Sequence, residues 1–78
     1  MNGDMLAYRN KLKENVNQLV QKGNLYIAKE LLEQYEQIVK DDIDVYSIRG
    51  VIAMMEGDMD GANANFKKGL ALDEKMLI

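Results

Sequence analysis

The chain has 78 residues, with 10 Lys and Arg against 13 Asp and Glu, and it contains no His, Cys, Pro, Trp or Thr. Without thiol or imidazole it lacks the usual covalent nucleophile, a base that titrates near neutral pH and the ligands of a Cys/His zinc site. Catalysis by this chain alone is not expected, and no catalytic, cofactor or metal residue is assigned. Residues 1–40 carry 6 basic and 5 acidic groups and residues 41–78 carry 4 and 8, giving +1 and −4. An acidic half of this kind repels phosphate backbones, so nucleic acid is not an expected partner.

This length gives room for one domain whose core is small enough to lean on neighbours. Hydrophobic residues make up 47% of the chain, as in a folded protein, yet no apolar run approaches the ~20 residues of a membrane span. The opening MNGDMLAYRNK lacks the apolar core of a signal peptide. The reading is a cytoplasmic chain with no membrane partner.

Four helices are predicted in chain order. The first, roughly Asp4 to Gln21, places Met5, Tyr8, Leu12, Val16 and Leu19 at three- and four-residue steps, the stripe of an amphipathic helix. A turn at Gly23-Asn24 separates it from the second, where Leu25, Ala28, Leu31, Leu32, Tyr35, Ile38 and Val39 keep the same rhythm and Asn24 is the predicted N-cap. The acidic break Lys40-Asp41-Asp42 leads to the third, about Ile43 to Glu56, with Val45, Ile48, Ile52 and Met55 at helical spacing, Asp42 as N-cap and Asp44 near the positive helix end. Its β-branched content allows a strand, but the run continues through Ala53-Met54-Met55-Glu56, good helix formers, before any breaker. After Gly57-Asp58 the fourth, Met59 to about Leu72, aligns Ala62, Phe66, Gly69 and Leu70, capped by Asp58 or Asp60. Gly61, Ala62, Ala64, Gly69 and Ala71 make this last helix rich in small residues, which points to close helix packing.

Sliding the chain along itself until Gly23 meets Gly57 also superimposes Asn24 on Asp58, Ala28 on Ala62, Leu32 on Phe66 and Ile38 on Leu72. A period of about 34 residues marks repeats of paired helices, each unable to hide its apolar face alone. The second unit resembles a tetratricopeptide repeat: Tyr46 stands for the first aromatic of that pattern, Gly50 for the small residue where the helices touch, Ala62 for the inter-helix Ala and Phe66 for the aromatic four residues on. Arg49, Ala53, Gly69 and Glu74 depart from the pattern's Leu, second aromatic, Ala and Pro. The first unit fills the same roles with Leu12, Val16, Leu19, Ala28 and Leu32, and has Lys40 in place of Pro. The resemblance implies an all-α fold of two helix-turn-helix hairpins, four antiparallel helices in all. Repeat 1 covers about 9–42 and repeat 2 about 43–76, and together they form a short right-handed superhelical solenoid.

It also implies a protein or peptide partner held in a groove lined by the first helix of each unit. Lys13 and Asn17, one turn apart, match the first repeat of a carboxylate clamp, in which ammonium and amide hydrogen-bond a peptide C-terminus. Ile48 stands where the clamp needs its next Asn, and its remaining basic groups belong to a third repeat. The third helix is apolar over more than one face: Ile48, Val51, Met54 and Met55, with Val20 of the preceding unit, are the groove candidates. Unbranched Met suits a surface that must adapt to its partner, and equally suits gaps in a core.

Glu56 and Asp58-Met59-Asp60-Gly61 resemble a calcium loop, but the closing twelfth place is Lys67, so these acids read as turn and cap residues. Met76-Leu77-Ile78 ends the chain on three apolar residues where a repeat array has a polar capping helix. That end reads as the edge of a longer array or as a homo-oligomer contact in a structural scaffold. The runs Tyr8–Leu12 and Asp41–Ile48 also resemble repeat segments preceding certain bacterial glycosyltransferases, which implies a non-catalytic N-terminal appendage as an alternative.

Overall fold

The structure, a computed structural model, describes residues 2–77, and the side chains of these except residues 2, 4 and 75–77. It is all-helical across those residues: α1 (Asn2–Gln21), α2 (Leu25–Ile38), α3 (Ile43–Met55) and α4 (Met59–Leu77). Two compact units divide the chain, Met1–Val39 and Lys40–Ile78. The first is a hairpin of α1 on α2, the second a hairpin of α3 on α4.

Each hairpin turns by the same device. At the end of α1, Gly23 takes a φ of +79°. Its N–H donates to the Val20 carbonyl at 3.0 Å, and the Asn24 N–H reaches back to the Leu19 carbonyl at 2.9 Å. At the end of α3, Gly57 takes a φ of +80°. Its N–H donates to the Met54 carbonyl at 3.1 Å, and that of Asp58 to the Ala53 carbonyl at 2.8 Å. These are paired Schellman closures, which satisfy the last carbonyls of a helix and need a left-handed residue best supplied by glycine. They lie one full repeat apart, so the sequence period is a period of backbone geometry too.

The caps differ. Asp58 accepts the Gly61 N–H on Oδ1 at 2.9 Å and starts α4, and Asp42 accepts the Asp44 N–H at 3.0 Å and starts α3. Asn24, the predicted cap of α2, makes no capping bond with its side chain; with φ −85° and ψ 70° it departs from the extended backbone usual at that position. Between the hairpins Asp41 takes the left-handed region at φ 58°. Aspartate enters that region more readily than most residues, so this break needs no glycine.

Val16, Ala28, Leu32 and Tyr35 are fully buried in the first unit, and Val45, Ile52, Ala53 and Ala62 are buried in the second. At Gly50 the Phe66 ring of α4 lies directly on α3: a Cβ there would sit 2.6 Å from Cζ of Phe66, far inside van der Waals contact. Ala62 and Gly50 thus occupy the tight positions read from the sequence. Gly69 does not. A Cβ at Gly69 would meet Tyr46 Cβ at 3.5 Å and Ile43 Cγ2 at 3.9 Å, ordinary packing distances, so close approach does not explain this glycine.

Helix length accounts for the remaining corrections. The fourth helix runs to Leu77 instead of about Leu72, because Leu72-Asp73-Glu74 contains no breaker. Met5 and Tyr8, predicted on the buried stripe of α1, are 51% and 52% exposed. α1 has 20 residues and α2 has 14, so past the flush turn α1 overhangs by about six residues, or about 9 Å. Leu70 lies near the same kind of edge on α4 and is 62% exposed.

Candidate functional site

Exposed apolar side chains occur on all four helices, and α3 carries one such group. Spacings of three and four residues place Val51, Met54 and Met55 on one face of the helix. They are 43%, 49% and 50% exposed, while Val45, Ile48 and Ile52 of the same helix are buried. Three large apolar side chains half-open to solvent on adjoining turns form a patch of the kind that marks interaction surfaces. Ile48, expected in this group, is buried instead, as is Val20 at the end of α1. Neither presents its side chain at the surface.

On α1, Asn17 is exposed. Lys13 holds its ammonium 5.9 Å from the centroid of the Tyr35 ring on α2, within reach of a cation–π attraction. Its charge is therefore engaged inside the first hairpin. Arg9, one turn earlier, has a buried Nε with no hydrogen-bond partner. The backbone of Met76 and Leu77 continues α4, while their side chains and all of Ile78, the predicted oligomer contact, lie outside the described residues.

In the second unit the structure adds a feature that the sequence does not announce. An open cleft of about 450 Å³ lies between α3 and α4, lined by Ile43, Ser47, Phe66, Gly69, Leu70 and Asp73. Gly69 is one of its lining residues. One period earlier the equivalent position is Tyr35, fully buried in the first hairpin. Gly69 is itself buried, against Tyr46 and Ile43 of α3, and forms part of the cleft wall. The departure of Gly69 from the pattern's Ala is the available signal of that wall in the sequence. A smaller cleft of about 280 Å³ on the first unit is lined by Asn15, Gln18, Leu19, Lys22 and Leu31.

Asp58, the second acid of the calcium-like loop after Glu56, spends Oδ1 on its capping bond. Among the described residues no three His, Cys, Asp or Glu side chains cluster as a metal site, and no helix is long and apolar enough to cross a membrane. No family model, no curated protein and no solved structure matches the chain.

Proposed function

We propose that the chain is a binding module of the tetratricopeptide type, non-catalytic and cytoplasmic. Its two hairpins stack as a short right-handed superhelix, and α3 offers an apolar surface to a protein or peptide. Support for the repeat comes from the two Schellman turns one period apart and from the buried Ala28 and Ala62 at equivalent places. Gly50 against Phe66 supplies the small-to-aromatic contact on which the resemblance rests.

The observation that carries the binding reading is the exposed group Val51, Met54 and Met55. Unbranched, polarizable thioether side chains can re-pack against different apolar shapes, so this face favours a segment with apolar anchors. The −4 charge of residues 41–78 favours Lys or Arg flanking those anchors. Selection of a displayed random peptide library on the folded chain tests this. Enrichment of apolar peptides with basic flanks, lost in Met54→Lys with Met55→Lys while helicity is unchanged, is the expected result. Equal enrichment by both chains would remove the site from α3.

A further inference from the structure

Repeat 1 begins at about residue 9, which leaves the first turns of α1 outside it, and the last turns of α4 run on past the length of α3. These pieces have complementary character. The overhang of α1 carries Met5, Leu6 and Tyr8, each more than half exposed, followed by Arg9, Lys11 and Lys13. Met5 and Tyr8 continue the face that buries Val16 and have no α2 beneath them, because α2 ends about six residues short. In the second unit, the cleft over Gly69 opens beside the start of the α4 overhang. Its lining includes the apolar Ile43 and Phe66, the exposed Leu70 and the carboxylate-bearing Asp73. Glu74 follows Asp73, and Asp41, Asp42 and Asp44 flank Ile43 in sequence.

We infer that the cleft of one copy receives the α1 overhang of a second copy, giving head-to-tail self-association. Tyr8 or Met5 enters the cleft between Ile43, Phe66 and Leu70, and Arg9 and Lys11 meet the acidic residues beside it. Residues 2–13 carry Asp4 against Arg9, Lys11 and Lys13, a net +2, and the cleft side carries Asp41, Asp42, Asp44, Asp73 and Glu74 against Lys75, a net −4, so charge favours joining unlike ends. A contact between unlike surfaces is heterologous, so copies add in chains or rings instead of stopping at a two-fold dimer. A cleft of this size holds two or three side chains, and interfaces below about 1,200 Å² are transient. Association is therefore a high-concentration, salt-sensitive equilibrium. The inference does not rest on the α3 peptide site, which uses other residues.

Sedimentation velocity with one-ended variants tests it. Met5→Glu with Tyr8→Glu disables the tail, and Leu70→Lys with Asp73→Lys disables the cleft; all four positions are solvent-facing or line the cleft, and circular dichroism checks that helicity is kept. The unmodified chain is expected to sediment faster as its concentration rises, growing past a dimer. Each variant alone stays monomeric, and their equimolar mixture forms a 1:1 complex that grows no further. The chain has no cysteine, so a single Cys at Ala7 can also carry a nitroxide in an otherwise unmodified copy. It should broaden the amide signals of Ser47, Phe66 and Leu70 in an isotope-labelled second copy. A parent that stays monomeric at millimolar concentration overturns the inference. So does a mixture of the variants that remains monomeric, or broadening that avoids the cleft.

Discussion

Gly50 and Gly69 lie in the second hairpin as the same residue type with opposite structural demands. At Gly50 any side chain must displace the Phe66 ring, so Gly50→Ala is expected to destabilise by about 1–3 kcal/mol despite the better helix propensity of alanine. At Gly69 a methyl group meets Tyr46 and Ile43 at ordinary contact distance inside a helix. There Gly69→Ala should stabilise by about 0.5–1 kcal/mol, chiefly by restricting the unfolded chain. Denaturant unfolding of the two variants decides the matter by sign alone, and a loss at Gly69 would mean that close packing explains it after all. Ala62, 1% exposed on the facing surface of α4, is expected to lose about 1–3 kcal/mol as Ala62→Leu, since overpacking forces the helices apart. A melting curve like that of the parent would misplace the hairpin contact.

Among the elements, α2 and α4 begin at equivalent places in the repeat, but only α4 has a side-chain cap. Replacing Asp58 by Ala removes the bond to the Gly61 N–H and should cost about 1 kcal/mol, while Asn24→Ala should cost only a few tenths. Equal losses in thermal melts would show that Asn24 caps α2 in solution. By residue type the two look alike, because Asn and Asp are equally good caps; the difference lies in backbone angles that only the folded turn sets. Start and end signals elsewhere are legible: Gly23 and Gly57 close their helices where glycine after an apolar run predicts it, and Asp42 opens α3. The end of α4 is not, since the repeat period suggests Leu72 and nothing in Leu72-Asp73-Glu74 stops a helix. Periodicity also assigns Met5, Tyr8 and Leu70 to buried faces. It detects the stripe on a helix but not the length of the partner that must cover it. For the same reason Val51, Met54 and Met55 are legible as an excess of apolar residues on α3, whereas Val20 and Ile48 belong among the buried residues and the cleft over Gly69 emerges only from the pairing of α3 with α4.

At the scale of the molecule the question is whether the hairpins fold as one. Each unit, Met1–Val39 or Lys40–Ile78, is half of a short chain, a size at which a protein without disulfide or metal buries too little surface to be stable alone. Stacking of the hairpins, as proposed for the repeat, makes the stability of one depend on the other, because neighbour interfaces supply much of the stability of repeat units. Gly69→Ala provides a clean probe, since it acts in the second unit and changes no described group of the first. A gain of about 1 kcal/mol raises the midpoint of a domain of this size by roughly 4–8 °C. With coupled hairpins, amide signals of Ala28 and Leu32 in the first unit should shift to higher melting temperature together with those of Val45 and Ile52 in the second. With independent hairpins only the second set moves, and the first keeps the parent midpoint. The measurement is made at micromolar concentration, where association between copies does not contribute. Separate midpoints there would retire the stacked superhelix while leaving both hairpins intact.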